Sequence, residues 1–141
     1  IGFNYRMANI NAAIGLAQLE KYDLIKKIKK KIYKKYDYGL SKLKNIRKIE
    51  SENNDFVSWV YAIETRNSKR LLSILNKNKI NIKYFWKPLD MQKPYKNYQK
   101  INLHNTHKIW KNIITLPSSA SLKNIDQQKI IKIIKKLDNE L

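Results

Sequence analysis

The sequence predicts an α/β domain: a short mixed sheet with helices packed on it and one long helix ahead of it. Three observations carry this. Apolar residues recur at steps of three or four through Asn9 to Leu43, the spacing of a single helix face. Short β-branched and aromatic runs further on stop at polar or proline residues, as strands do. Ile125 to Leu141 then returns to helical spacing.

The elements follow in order. Residues 1–7 read as an extended entry loop. In the long helix, Ile10, Ile14 and Ala17 form one set, and Ile25, Ile28, Ile32, Tyr36, Leu40 and Leu43 a second. Lys26-Lys27, Lys29 to Lys31 and Lys34-Lys35 fall mostly on the opposite, solvated side. Ala12, Ala13, Gly15 and Ala17 crowd its first turns, which suits close approach by another body. Residues 46–49 are a weak strand, and Ser51 to Asp55 is turn-like. Phe56 to Glu64, with Val57, Trp59, Val60, Tyr61 and Ile63, reads as a buried strand. Ser68 to Lys77 is a helix carrying Leu71, Leu72, Ile74 and Leu75. Ile80 to Trp86 alternates as a strand and ends at Pro88, which cannot donate to a ladder. Met91 to Tyr98 is loop with a turn of helix, and Asn105 to Asn112 a short helix. Ile113, Ile114 and Leu116 make a strand stopped by Pro117. The last helix carries Ile130, Ile134, Leu137 and Leu141, widened by Ile131 and Ile133. Asn124 and Gln127 resemble a capping box at its start. The predicted order is α-β-β-α-β-α-β-α.

Composition narrows the function classes. The chain of 141 residues has a net charge of +19, which suggests a polyanion or nucleic-acid partner. Against that, its arginines are only Arg6, Arg47, Arg66 and Arg70, and base and phosphate readout favours the guanidinium fork. The lysines are spread over every segment and accompany excess Ile, Asn and Tyr, a pattern of base-composition drift. No specific nucleic-acid partner is therefore expected, and a basic polyanion-binding module stands as the alternative. Cysteine is absent, which excludes disulfides and thiol chemistry and fits a reducing, cytoplasmic setting. No basic leader precedes an apolar run, and no apolar run approaches the ~20 residues of a membrane span. His104 and His107 stand three apart with no Cys or acidic cluster beside them, so no metal site is expected. No phosphate-cradling Walker loop, dinucleotide fingerprint or nucleophile elbow is present.

Three separated segments resemble the C-terminal part of the DegT/DnrJ/StrS-type sugar aminotransferases, pyridoxal 5'-phosphate enzymes of the aspartate-aminotransferase fold. The first is Gly2-Phe3-Asn4-Tyr5-Arg6-Met7 through Gln18-Leu19. The second is Phe85-Trp86-Lys87-Pro88-Leu89-Asp90-Met91-Gln92, close to the family's aromatic-Lys-Pro-Leu-His-x-Gln. The third is Leu116-Pro117-Ser118-Ser119 with Leu122 and the terminal helix. Order and spacing match, so the resemblance covers essentially the whole chain. It implies a single C-terminal small domain over residues 1–141, with residues 1–43 as entry loop and interdomain helix, of a fold-type I enzyme. The activity implied is amino transfer, from glutamate, to a nucleotide-linked 4-keto-6-deoxy sugar for surface polysaccharide or glycan synthesis.

The resemblance also implies what lies elsewhere. The Schiff-base lysine and the acidic partner of the pyridine nitrogen belong to an upstream large domain. The chain opens on Ile1, not Met, and these residues alone are expected not to transaminate. A homodimer is implied, with Asn4 and Arg6 offered to the cofactor phosphate in the partner's active site. An amide and a guanidinium both donate to phosphate oxygens. The alternatives are a turn-forming Asn4 that caps nearby backbone and an interface ion pair for Arg6. Tyr5, Trp86, Lys87, Asp90 and Gln92 are the substrate-side candidates. Lys87 suits a diphosphate, and Trp86 suits stacking on a ring or filling the core. Gly15 costs about 1 kcal/mol against Ala within a helix, offset by close packing against another domain or subunit.

Departures from the family pattern matter as much. Asp90 stands where His is usual, and a carboxylate repels a diphosphate to which an imidazole would donate. That raises a degenerate, non-catalytic member as a further alternative. Lys83 replaces a usual Arg. Lys79 stands where a helix-ending Gly is common, so Asn78 is expected to supply the left-handed turn.

Overall fold

The computed structural model describes residues 2, 4–49, 59–98 and 102–138. The predicted turn at Ser51 to Asp55, the first three residues of the Phe56 to Glu64 strand, Phe3 and Leu141 lie outside them.

The predicted long helix is two helices, α1 (Asn9–Glu20) and α2 (Tyr22–Leu40). Lys21 sits between them at φ −98°, ψ 5°. The two apolar sets explain the break. Eight residues separate Ala17 from Ile25, roughly 80° off a whole number of turns, so one straight rod cannot aim both at the same body. α2 buries Ile32, Tyr36, Gly39 and Leu40, whereas α1 buries nothing.

The remaining elements are β1 (Arg47–Lys48), β2 (Tyr61–Glu64), α3 (Ser68–Lys77), β3 (Lys83–Tyr84), α4 (His104–Ile109), β4 (Ile113–Leu116) and α5 (Asn124–Asp138). Short 3-10 turns cover Leu89–Met91, Lys93–Tyr95 and Trp110–Asn112. The sheet order is β1-β2-β4-β3. Every strand pair described is antiparallel, which corrects the expected mixed sheet. The strands are shorter than predicted. Trp59 and Val60 form a bend ahead of β2, and only Lys83–Tyr84 of the 80–86 run pairs as strand. Phe85 still donates its N–H to the Ile113 carbonyl at 2.9 Å.

The core forms where α2, α3 and α5 meet one another and the sheet. Alternation places Tyr61 and Ile63 of β2, and Ile114 and Leu116 of β4, inside. Leu71, Leu75, Ile114 and Ile134 are fully buried. Where α2 crosses α5, Gly39 gives Ile131 room: a Cβ there would stand 2.8 Å from its Cγ2. The expected capping box at α5 does not form. Gln127 instead donates its side-chain amide to the Ile32 carbonyl of α2 at 2.7 Å, and the Asn124 side-chain oxygen accepts from Lys35. The α2 lysines are thus not all solvated. At the far end of α5, Asp138 accepts the backbone N–H groups of Lys44 (3.0 Å) and Asn45 (2.9 Å), tying the turn after α2 to that helix.

Two buried tyrosines join these layers. Tyr36 donates to the Pro117 carbonyl and Tyr61 to Asp37, each at 2.8 Å, with ring centroids 4.7 Å apart. Burial pushes both phenols well above the ordinary 10.0, and Asp37 pushes Tyr61 further. The fold therefore favours the neutral phenol. That stability is whole below the unfolded phenol's pKa of about 10 and is lost as pH rises above it. An ultraviolet phenolate titration is expected to leave Tyr36 and Tyr61 un-ionised until the fold gives way, and Tyr61→Phe to remove one phenol from that resistant set.

Lys79, not Asn78, takes the left-handed conformation that ends α3, at φ 61°. Asn78 stays at φ −82° and donates its side-chain amide to the Ile74 carbonyl. Lys79 N–H bonds Asn76 O at 2.9 Å and Ile80 N–H bonds Leu75 O at 3.0 Å, a complete Schellman pattern. Its hydrogen bonds hold a Cβ-bearing residue where Gly is at ease. Lys79→Gly is expected to gain roughly 0.5–1 kcal/mol, read as a higher midpoint in urea.

Candidate functional site

Two stretches of surface carry the candidate residues. The first is the entry segment before α1. Residues 4–8 are exposed and lie outside helix and strand. Arg6 N–H donates to Asn4 Oδ1 at 3.1 Å, an Asx-type turn that orients the amide. This is the local capping that the sequence left open for Asn4, and it uses the side-chain oxygen and not the amide Nδ2. Tyr5 is 88% exposed. Behind this segment α1 displays Ile10, Ile14, Leu16 and Leu19 to solvent, and nothing lies within 4 Å of a Cβ added at Gly15. The small-residue helix start has no packing partner among the described residues.

The second stretch follows β3. Trp86 is 54% exposed, which removes it from the core. Its ring stacks on Trp59 with centroids 5.2 Å apart and planes 24° from parallel, and Phe85 meets it edge-on. Lys87 is exposed, and its carbonyl accepts the Gln92 amide at 2.8 Å. Gln92 thereby braces the loop from within. Asp90 Oδ2 pairs with His107 Nε2 at 2.8 Å, while Asp90 Oδ1 is buried without a hydrogen-bond partner. The carboxylate side chain is 13% exposed against 42% for the imidazole. The outward group at this place is therefore an imidazole, delivered from α4, and not the bare carboxylate that position 90 alone suggests. His104 shares α4 but not this contact; its backbone N–H bonds Asn102. Among the described residues no three His, Cys, Asp or Glu side chains gather as a metal would require.

The third motif is structural at its centre. The Pro117 carbonyl accepts from Tyr36, and buried Ser118 Oγ accepts the Tyr61 N–H at 3.2 Å. Sequence reasoning missed three residues of this surface: Trp59, read as strand core; Lys29, read as a solvated lysine although its Nζ donates to the Trp59 carbonyl at 2.7 Å; and His107, whose partner lies 17 residues away. Among the described residues no helix is long and apolar enough to cross a membrane.

A family model described as the DegT/DnrJ/EryC1/StrS aminotransferase family matches residues 1–135. The chain is similar to the GDP-perosamine synthase of Escherichia coli O157:H7, 35% identical over 132 residues, covering 88% of this chain and 34% of that protein. It is also similar to EpsN of Bacillus subtilis strain 168, named as a pyridoxal phosphate-dependent aminotransferase, at 27% identity over 143 residues, 95% of this chain and 37% of that one. A crystal structure of a DegT DnrJ EryC1 StrS aminotransferase from Brucella abortus superposes with a TM-score of 0.87 at 27% identity, covering 98% of this chain and 38% of its own. The chain thus spans about a third of the length of the curated relatives it matches.

Proposed function

This chain belongs to the DegT/DnrJ/EryC1/StrS aminotransferase family, and from that premise we propose that the whole protein moves an amino group onto a nucleotide-linked keto-sugar with pyridoxal 5'-phosphate as cofactor. The family match over residues 1–135 carries the reading. Relatives named for GDP-perosamine synthesis and for pyridoxal phosphate-dependent amino transfer support it. In its finer form the donor is glutamate, the acceptor a 4-keto-6-deoxy sugar, and the work cytoplasmic, feeding surface polysaccharide or glycan.

When bound, the cofactor supplies the electron sink on which an amino group is exchanged. Within these residues the donor set suits its phosphate end. Asn4 offers neutral amide N–H groups whose direction the Arg6 N–H bond fixes, and Arg6 offers a guanidinium fork. Both are exposed and sit beside the unpartnered α1, as a contribution across a homodimer interface requires. At the substrate side, Trp86 presents an aromatic face, Lys87 an ammonium, and the Asp90–His107 pair an imidazole that can donate to an anion. The lysine and acidic residue that act on the cofactor ring belong, in this reading, to a large domain outside these residues, so these residues alone do not transaminate.

The complete reading frame tests this. Its product is expected to bind pyridoxal phosphate with a visible absorbance that glutamate shifts, and to aminate a nucleotide-linked 4-keto-6-deoxy sugar. A protein that loads no pyridoxal phosphate ends the reading.

A further inference from the structure

Asp90 and His107 come from different elements, and each is held by its own backbone. Asp90 lies in the turn Leu89–Met91, where Met91 N–H bonds the Pro88 carbonyl at 3.0 Å and Gln92 N–H the Leu89 carbonyl at 2.9 Å. The Gln92 side-chain amide closes the same loop on the Lys87 carbonyl at 2.8 Å. His107 sits in α4, where its N–H bonds the Leu103 carbonyl at 3.0 Å. The 2.8 Å contact between Asp90 Oδ2 and His107 Nε2 is thus made between two braced supports.

The direction of that bond follows from its chemistry. An ionised carboxylate accepts and cannot donate, so Nε2 is the ring nitrogen that carries the proton. Among the described residues Asp90 has no ion-pair partner but His107, and its Oδ1 is buried without a hydrogen bond. A carboxylate only 13% exposed is therefore answered by one imidazole. That is a costly arrangement for a mere surface staple, since an exposed ion pair contributes about 0–1 kcal/mol. In the neutral ring, the proton on Nε2 leaves Nδ1 as a lone-pair acceptor. Only the doubly protonated ring donates from the same atom to an anion. An anion approaching the neutral ring meets a lone pair backed by a carboxylate, while the chain's net charge of +19 repels a cationic donor. A neutral hydroxyl is the donor that suits Nδ1.

We infer that Asp90 is a positioning residue for His107, and that the pair presents His107 Nδ1 as a fixed acceptor for a ligand hydroxyl. This rests on the reading of the 86–92 loop as the substrate side and goes beyond it. The loop is polarised, with the Lys87 ammonium for negative charge and His107 for a neutral donor.

The test uses the full-length protein with isotope-labelled histidine, its ring nitrogens read by NMR in mildly alkaline buffer, where imidazole is neutral. One ring is expected in the Nε2-protonated form alone, assigned to His107 by its loss in His107→Phe. Asp90→Asn is expected to give a mixture of tautomers, because an amide can accept from Nε2 or donate to it. Asp90→Glu is expected to restore part of the preference, and His104→Gln to leave it intact. Calorimetry with GDP-mannose and UDP-glucose, each against its bare nucleotide, reads the ligand. His107→Phe and Asp90→Asn are each expected to weaken the better-bound sugar nucleotide about three- to tenfold, the loss of one neutral hydrogen bond, and to leave the bare nucleotide unchanged. His107 is exposed, so its variant keeps the ligand arm testable if Asp90→Asn disturbs the fold. Mixed tautomers in the wild type, or a single one in Asp90→Asn, overturn the positioning role. Equal weakening of sugar nucleotide and bare nucleotide overturns the hydroxyl assignment, as does no weakening of either. Pyridoxal phosphate loading of the same samples separates the premises. Loaded protein without the tautomer and sugar effects defeats this inference alone, whereas failure to load defeats the aminotransferase reading.

Discussion

Gly39→Val is expected to destabilise the protein by about 2–3 kcal/mol, the cost of overpacking a close helix crossing. A Cβ at Gly39 meets Ile131 Cγ2 at 2.8 Å and Cδ1 at 2.9 Å, and the branched side chain drives two more carbons into α5. Helix propensity works the other way, since Gly within a helix is unfavourable by itself, but by less than the clash. The check is urea unfolding with an unchanged slope and a lowered midpoint. Ile131→Ala in the same molecule is expected to restore part of the loss, giving a coupling that two independent sites would not show. Equal stability of Gly39→Val and wild type would mean that α2 and α5 do not cross as described.

Asn4→Ala is expected to weaken pyridoxal phosphate binding by the full-length protein roughly 10- to 100-fold, the cost of one hydrogen bond to a charged oxygen. Arg6→Lys keeps the charge and loses the fork, so a smaller loss is expected there. Equilibrium dialysis of the cofactor measures both. Asn4 is exposed, and its Oδ1 holds only the Arg6 N–H among the contacts described, so thermal stability is expected to change little. If Asn4 is only a turn-former, cofactor affinity stays at the wild-type value and the contribution to the partner's site is refuted.

Periodicity made most of the fold legible. Ile130, Ile134 and Leu137 of α5, and Leu71 and Leu75 of α3, are buried as their spacing demands. The break at Lys21 was present in the same numbers, as the phase difference between the α1 and α2 stripes, but a step-by-step pattern conceals a change of phase. Strand lengths were not legible, because Trp59 and Trp86 are as hydrophobic outside the sheet as within it. Lys79 misled for another reason: its Cβ disfavours the left-handed turn, and the Schellman bonds of Ile80 and Lys79 override that preference. For the candidate site, the motifs pointed to Asn4, Arg6 and the 86–92 loop. They said nothing of His107 or Lys29, whose partners come from other elements. A substitution read one position at a time, such as Asp90, looks like a bare carboxylate until the His107 imidazole paired with it is seen.

The sheet has a consequence for association. Among the described residues its two outer strands are Arg47–Lys48 and Lys83–Tyr84. Each is two residues long and carries positive charge, so neither offers a run of free backbone groups long enough to template another strand. Among the described residues the sheet edges thus give little template for fibrous stacking, and the apolar surface on show is instead made of helix side chains, Ile10, Ile14, Leu16 and Leu19 of α1.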